Sequence, residues 1–270
     1  MPEEMSDGVV AFCLTDLNGR VLDSHLPDRT FYAASTMKVA VLIDVFRRHD
    51  AGVTALAAPV TVATTFRSGL DGSPFTIEPD DVDAELAARA GEAVSVLYLA
   101  ERMITVSSNE ATNLLLQLSG FEGVAAVVSE LAGGSMVVQR MLDDGPARAA
   151  GLENLVTAGD LSRLMGTIAN GSAAGPRSCD RMVEILERQT YREEIPAGLP
   201  PGVRVANKTG WVKGVLHDTA LVWPPDANPY CLSVCTEGFA DQEVARGEIR
   251  RRSALAWERR LRPAETESPG

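Results

Sequence analysis

The first hydrophobic run of the chain has the pattern of a β-strand. Residues 9–14 read Val-Val-Ala-Phe-Cys-Leu, and the pair Asn18-Gly19 separates them from Val21-Leu22. An Asn-Gly pair favours a two-residue hairpin turn because both turn positions take a positive φ. We therefore expect the chain to open with a β-hairpin.

Helical patterns fill the middle of the chain. The first, from Met37 to Arg48, is apolar on nearly every face, which is typical of a helix buried on all sides. Further helical patterns follow at about 94–106, 109–118, 122–132, 157–170 and 178–189.

Strand patterns return at 203–209, 219–223 and 230–235, before a charged helix at about 240–261. The sheet is thus drawn from both ends of the chain, with a helical insert between. We predict an α+β fold in which an antiparallel sheet of about five strands, covered by helices, lies beside an all-α lobe. A cleft between the lobes is where a site is expected.

The same patterns predict the division of the chain. Residues 1–34 and 195–262 are expected to form the sheet lobe with its covering C-terminal helix. Residues 35–194 are expected to form the mainly helical lobe, and residues 263–270 a flexible tail.

Charge and hydropathy narrow the classes of partner. The chain has 25 Lys+Arg against 37 Asp+Glu, a net charge of −12, which argues against a nucleic-acid partner. No apolar run approaches the roughly 20 residues that cross a bilayer, so no membrane partner is expected. The acidic start lacks the basic and apolar regions of a secretory signal, so we expect a cytoplasmic protein, a secreted mature form remaining open.

Metal and cofactor motifs are not found in the sequence. It contains no His-Glu-x-x-His, no paired-cysteine zinc spacing, no carboxylate-rich calcium loop and no Gly-rich phosphate loop. We expect neither a metal nor a cofactor. The scattered cysteines, which lack a disulfide-scaffold pattern, are predicted to be small core residues: Cys13, Cys179, Cys231 and Cys235.

The first candidate for chemistry is Ser35-Thr36-Met37-Lys38, at the start of the buried helix. Residues three apart share a helix face, so the Lys38 amine can reach the Ser35 hydroxyl. A desolvated lysine has a lowered pKa and can accept the proton of a nucleophile. The structural alternative makes Ser35 an N-cap and Lys38 a surface residue.

The second candidate is Ser107-Ser108-Asn109, at the head of the helix at 109–118. Ser107 and Glu110 have the spacing of a capping box, which is the structural alternative. A cap needs only one of the two serines and leaves Asn109 unexplained. The functional interpretation makes Ser107 a proton shuttle and Asn109 a substrate contact.

The third candidate is Lys208-Thr209-Gly210, near the end of a strand. A charged residue beside a glycine in a strand indicates either close approach of a ligand to the backbone or a protected sheet edge. His217-Asp218 follows, but adjacent strand residues point to opposite faces, so the two are not expected to form a catalytic dyad.

The three motifs together, in this order, resemble the signature of class A β-lactamases and penicillin-binding proteins. The resemblance extends from Gly8 to about Leu261. It implies an acyl-enzyme serine hydrolase that acts on a small-molecule acyl substrate. The implied roles are Ser35 as nucleophile, Lys38 as general base, Ser107 as proton relay, Asn109, Lys208, Thr209 and Gly210 as substrate contacts, and the backbone N–H groups of Ser35 and Trp211 as oxyanion hole.

The chain departs from the family in one loop. Class A enzymes carry there a Glu-x-x-Leu-Asn motif whose glutamate activates the water that releases the acyl group. The corresponding stretch, from Arg140 to Asn154, lacks this motif. Glu153 is its only glutamate, and Asp143 and Asp144 are the other candidate carboxylates.

We therefore predict a β-lactamase-like hydrolase with weak or altered release of the acyl group. Two alternatives remain open from the sequence. One is a cytoplasmic esterase, amidase or acyltransferase acting on a metabolite, and the other is a catalytically silent binding domain of the same fold.

Overall fold

The computed structural model of the protein describes residues 8–261. The long helices and the five strands of the main sheet lie close to the predicted positions, whereas the short strands between residues 31 and 156 and the short helices at 84–87 and 145–149 were not predicted. The helices are α1 Lys38–Asp50, α2 Ala84–Ala87, α3 Val96–Thr105, α4 Asn109–Ser119, α5 Phe121–Leu131, α6 Gly145–Ala149, α7 Ala158–Ala169, α8 Pro176–Glu187 and α9 Gln242–Arg259. The strands are β1 Val9–Asp16, β2 Val21–His25, β3 Phe31–Tyr32, β4 Pro59–Thr61, β5 Thr65–Arg67, β6 Pro74–Thr76, β7 Ala93–Ser95, β8 Val137–Val138, β9 Asn154–Val156, β10 Arg204–Val212, β11 Val215–Trp223 and β12 Tyr230–Glu237.

The main sheet joins the two ends of the chain. Its order is β10-β11-β12-β1-β2, and every neighbouring pair is antiparallel. β1 lies beside β12, with Phe12 opposite Val234, so the first strand completes a sheet that the last strands begin. The predicted α+β class with a five-stranded antiparallel sheet is confirmed, and β10 is left at the edge of this sheet.

Both faces of the sheet are covered by helices. On one face Phe12, Leu232 and Val234 pack with Ile249 and Ala256 of α9. On the other face Ala11 and Leu221 belong to the larger core, which includes α1 and α7. The four cysteines are free and buried, as predicted.

Helix α1 lies inside the larger core. Its residues from Lys38 to Phe46 are all buried, as the all-round apolar pattern predicts. It begins later than expected, because Ala34–Met37 form a 3₁₀ turn before it. This turn carries Ser35 to the surface of the core.

Two predicted features stay outside what the structure decides. The lobe boundaries after residues 34 and 194 remain a prediction, and the predicted tail at 263–270 lies outside the described residues.

Within residues 8–261, no single helix is long and apolar enough to cross a membrane. Only α4 and α5 together meet the length and composition criteria, and the pair is bent by 93°.

Candidate active site

A cavity of about 410 Å³ lies where the helical part meets the edge strand β10. Ser35, Ser107, Asn109 and Trp211 line it, although they come from distant parts of the chain. Asp143 lines the same cavity. The structure thus gathers four of the residues that the motifs single out around one space, together with one of the three loop carboxylates.

The turn that carries Ser35 is strained. Ala34 has a φ of +44°, a conformation that costs a non-glycine residue about 1–3 kcal/mol. Ala33 fixes the turn from two sides, since its N–H donates to the Asn154 carbonyl at 2.8 Å and its carbonyl accepts from the Thr36 hydroxyl at 2.6 Å. No side chain caps the turn or α1, so Ser35 is not the N-cap of the structural alternative.

Lys38 is completely buried. Its Nζ donates to the Ser107 carbonyl at 2.6 Å, to the Ser107 hydroxyl at 3.2 Å and to Asn109 Oδ1 at 2.8 Å. Burial, together with the nearby Lys208 ammonium, lowers the pKa of Lys38 well below its ordinary value. The amine is therefore directed to Ser107 and Asn109, and no hydrogen bond joins it to the Ser35 hydroxyl in the part of the chain that the structure describes.

Ser107 is free for chemistry because its neighbour caps the helix. The hydroxyl of Ser108 accepts from the Ala111 N–H at 3.2 Å, which makes Ser108 the N-cap of α4. Glu110 accepts instead from the Asp83 N–H, so the capping box of the structural alternative does not form. Ser107 itself has a φ of +60°.

Strand β10 brings a second buried ammonium to the same hydroxyl. Lys208 Nζ donates to Ser107 Oγ at 3.1 Å and to the Thr209 carbonyl at 2.6 Å. Burial lowers the pKa of Lys208 to about 7. The Thr209 hydroxyl is buried and finds no hydrogen-bond partner among the described residues. Ser107 therefore links the two buried lysines.

Gly210 lets β10 approach the turn that carries Ser35. A Cβ at this position would lie 2.7 Å from the Ser35 nitrogen and 2.8 Å from the Thr36 nitrogen. Both distances are too short for a side chain, so glycine is required for the close approach. Trp211, the next residue, lies at the cavity mouth, and its ring packs edge-on against that of Tyr191 with 4.7 Å between centroids.

The three candidate carboxylates of the loop lie in different surroundings. Asp143, with a φ of +60°, faces the cavity and accepts from Asn109 Nδ2 at 3.5 Å. Asp144 caps α6 and accepts from the Gly69 N–H, and Glu153 lies 3.9 Å from Arg140 with 41% of its side chain exposed. Neither Asp144 nor Glu153 lines the cavity, because the loop places the first in a cap and the second at its outer end.

Asn113 is a positioning residue that the sequence reasoning missed. Its side chain donates to the Leu142 carbonyl at 2.9 Å and accepts from the Leu142 N–H at 2.8 Å, so it fixes the loop that carries Asp143. The signal was present, since Asn113 lies four residues after Asn109 on the same face of α4. The acidic segment from Asp80 to Glu85, which forms another wall of the cavity, was also missed.

Within residues 8–261, no cluster of three or more His, Cys, Asp or Glu side chains could hold a metal ion. The cavity wall offers hydroxyls, carboxylates and an edge-strand backbone. The amines of Lys38 and Lys208 do not line it, and they are buried behind Ser107, with whose hydroxyl both form hydrogen bonds. Such a set can activate a hydroxyl nucleophile, move its proton and bind an anionic group.

Known proteins are similar to this chain in sequence and in fold. The model of the β-lactamase enzyme family matches residues 3–259. The chain is 26% identical over 227 residues to β-lactamase AST-1 of Nocardia asteroides, which covers 83% of this chain and 69% of that protein.

Two solved structures have a TM-score of 0.79 to this chain. The first is a β-lactamase from Sphaerobacter thermophilus, at 29% identity, with 96% of this chain and 95% of the other covered. The second is PBP-A, at 25% identity, with 95% and 91% covered. On the family model and these relatives, the chain belongs to the β-lactamase enzyme family.

Proposed function

We propose that the protein is a serine hydrolase that reacts with β-lactams through an acyl-enzyme on Ser35 and releases the acyl group slowly. Family membership supports the hydrolase class and the β-lactam substrate. A mutant of PBP-A has been solved as an acyl-enzyme complex with penicillin G, which favours the same chemistry here. The observation that carries the proposal is the pair of hydrogen bonds by which the buried amines of Lys38 and Lys208 meet at the Ser107 hydroxyl, which lines the same cavity as Ser35.

The proposed acylation begins at Ser35. The Ser35 oxygen attacks the carbonyl carbon of the lactam, and its proton passes to Lys38. For this step the amine is proposed to be neutral, because burial lowers its pKa, and to turn from Ser107 and Asn109 toward the Ser35 hydroxyl. The carbonyl oxygen becomes an oxyanion, which the N–H groups of Ser35 and Trp211 are proposed to bind, at on the order of 3 kcal/mol per donor.

Collapse of this intermediate breaks the bond between the carbonyl carbon and the lactam nitrogen. The nitrogen takes its proton from the Ser107 hydroxyl, which is re-protonated by Lys38 across 3.2 Å. Protonated Lys208 attracts the carboxylate of the substrate at the same time. The Ser35 ester remains, and its hydrolysis needs a water and a base.

Slow release is proposed because the loop lacks the Glu-x-x-Leu-Asn motif. Leu142 and Asp143 are the loop residues at the cavity, and neither is a glutamate. Without a well-placed base, water attacks the ester slowly, so acylation outpaces release.

Intact-protein mass spectrometry tests the proposal. Incubation with benzylpenicillin should add one ligand mass that persists for minutes, and Ser35→Ala should abolish it. Ser24→Ala, which removes an exposed hydroxyl from β2, is the matched control and should label like wild type.

The other outcomes identify the competing functions. Turnover of penicillins near the enzyme median of roughly 10 s⁻¹ would contradict slow release. Labelling by a fluorophosphonate but not by penicillin would favour an esterase or amidase. No adduct with either reagent would leave a silent binding domain.

A further inference from the structure

His217 is a buried histidine that the proposed chemistry does not use. It is completely buried on β11, opposite Gly210 of β10 in the strand register. Its ring lies edge-on to that of Phe31, with 5.6 Å between centroids. The imidazole therefore lies under the segment 31–36, which carries Ser35.

The hydrogen bonds of His217 define its tautomer. The backbone N–H of Thr236 donates to Nδ1 at 3.1 Å, so Nδ1 is an acceptor without a proton. Nε2 lies 3.0 Å from the Tyr32 carbonyl, which can only accept. The neutral ring consequently carries its proton on Nε2 and donates it to Tyr32. Burial lowers the pKa of His217, which keeps the ring neutral.

The Tyr32 carbonyl lies just before the strained turn. Ala34, with a φ of +44°, follows two residues later and directly precedes Ser35. A strained backbone persists only where its surroundings hold it. Pairing of β3 with β9 and the bond from Ala33 to Asn154 hold the turn from one side, and His217 holds it from the sheet.

We propose that His217 is a positioning residue for the nucleophile: its Nε2–H fixes the Tyr32 carbonyl and, through it, the turn that presents the Ser35 hydroxyl. The inference rests on the proposed function for its kinetic consequence. Its structural content, a turn held on the side of the sheet by an imidazole N–H, stands independently of any substrate.

Two variants, each with an amide side chain at position 217, distinguish the contribution of Nε2 from that of Nδ1. In His217→Gln the side-chain NH₂ reaches the region of Nε2 and can still donate to Tyr32, while the acceptor for Thr236 is lost. In His217→Asn the amide oxygen can replace Nδ1 as acceptor, and the donor to Tyr32 is lost. Both variants bury an uncharged amide of similar chemistry, so they form a matched pair.

The first measurement is the rate of acylation of Ser35 by benzylpenicillin, observed in a rapid-mixing experiment. His217→Asn should lower the acylation rate constant about 10- to 100-fold with little change in the apparent binding constant, because a displaced nucleophile affects the chemical step. His217→Gln should retain the rate to within about threefold. Equal losses in both variants would overturn the inference.

Hydrogen exchange of the amides at 33–37 provides a readout that needs no substrate. His217→Asn should exchange there at least about tenfold faster than wild type, and His217→Gln at the wild-type rate. Unchanged exchange in a folded His217→Asn variant would overturn the positioning role even if Ser35 is acylated. If the wild-type protein forms an adduct with neither benzylpenicillin nor a fluorophosphonate, the proposed function fails. The exchange rates still decide the role of His217. Should His217→Asn not fold, a folded His217→Gln with fast exchange at 33–37 would overturn the inference, and protected exchange would support it.

Discussion

Backbone strain at single residues is concentrated at the cavity. Among residues 8–261, the non-glycine residues with positive φ are Leu26, Ala34, Ser107 and Asp143. The last three line the cavity, and each presents or adjoins a side chain with a proposed role. Strain of this kind persists where packing holds it and is typical of functional sites.

The pH dependence of acylation should depend on two lysines with opposite requirements. Lys208 binds the substrate carboxylate when protonated, and its pKa is lowered to about 7. Lys38 accepts a proton when neutral. The second-order rate constant for acylation should therefore fall as pH rises through about 7, where Lys208 loses its charge.

The Lys208→Arg variant tests whether Lys208 causes this fall in the rate constant, because arginine stays protonated between pH 5 and 9. In that variant the fall above pH 7 should disappear, while any limb at lower pH remains. Stopped-flow acylation by an anionic penicillin between pH 5 and 9 measures both profiles. An unchanged alkaline limb in Lys208→Arg would assign it to another group.

Asp143 is the loop carboxylate that we expect to assist release of the acyl group. Burial, and then the Asp81 carboxylate, raises the pKa of Asp143 and makes it a stronger base once ionised. Asp143→Asn should lengthen the lifetime of the Ser35 adduct at least about tenfold. Decay of the adduct, followed by intact mass, gives this lifetime.

The matched control for Asp143 is Glu153→Gln, which neutralises the candidate at the outer end of the loop. It should leave both the lifetime of the adduct and the rate of acylation unchanged. If the adduct on Asp143→Asn decays as fast as on wild type, Asp143 is not the base.

At the scale of elements, the site depends on the contact between β10 and the 3₁₀ turn at Ala34–Met37. A Cβ on Gly210 would lie 2.7 Å from the Ser35 nitrogen, and a backbone atom cannot yield as a flexible side chain does. Gly210→Ala should displace β10 or the turn, lower the free energy of unfolding by about 1–3 kcal/mol and abolish rapid acylation. Denaturant unfolding and penicillin labelling measure the two effects.

Gly247→Ala is the matched control for Gly210→Ala. Gly247 lies within α9, and a Cβ placed there would have no described heavy atom within 4 Å outside its own stretch of helix. Alanine should stabilise this helix by about 0.5–1 kcal/mol and leave acylation unchanged. A Gly210→Ala variant that labels as fast as wild type would show that the close approach is dispensable.

At the scale of the whole molecule, the two faces of the sheet separate two buried titratable groups. His217 faces the turn that carries Ser35, whereas Asp218 accepts from the Ile195 N–H at 3.0 Å and from Asn207 Nδ2 at 3.1 Å. The prediction that these neighbours serve different faces is confirmed. The expected cytoplasmic location stays a prediction.

Asp218 should make stability depend on pH. Burial, and then the Glu194 carboxylate, raises the pKa of Asp218 to about 8 from an ordinary 3.8. The folded state thus binds a proton that the unfolded chain has lost, so this contribution is full below pH 3.8 and disappears as pH rises through about 8. One such proton changes the free energy of unfolding by up to about 1.4 kcal/mol per pH unit.

Denaturant unfolding of wild type and Asp218→Asn between pH 5 and 9 tests this dependence. Wild type should lose stability relative to the variant as pH rises, because the asparagine cannot ionise. Asp180→Asn, on an exposed position of α8, should run parallel to wild type. Parallel curves for wild type and Asp218→Asn would contradict the buried proton.

Much of the fold follows from local patterns. The opening hairpin, the buried α1 and the late strands have periods that are set by neighbouring residues, and the structure has each of them. The predicted two-residue turn at Asn18-Gly19 is wrong, because four residues, 17–20, connect β1 to β2 and only Gly19 of the pair has a positive φ. β11 begins at Val215, earlier than predicted, because the tight turn at Lys213-Gly214 joins it directly to β10. Trp211 and Val212, at the end of β10, are apolar but exposed, so the hydrophobic pattern does not show where β10 ends and β11 begins.

The main helices, the five strands of the large sheet and the three motifs could be predicted from the amino-acid sequence, because periodicity and motif spacing are local properties of the chain. Three further features became visible only in the folded chain: Ser107 links two buried lysines, Asp143 and not Glu153 reaches the cavity, and His217 lies under the turn that carries the nucleophile. Those outcomes depend on burial and on contacts between residues far apart in sequence, which no local pattern encodes.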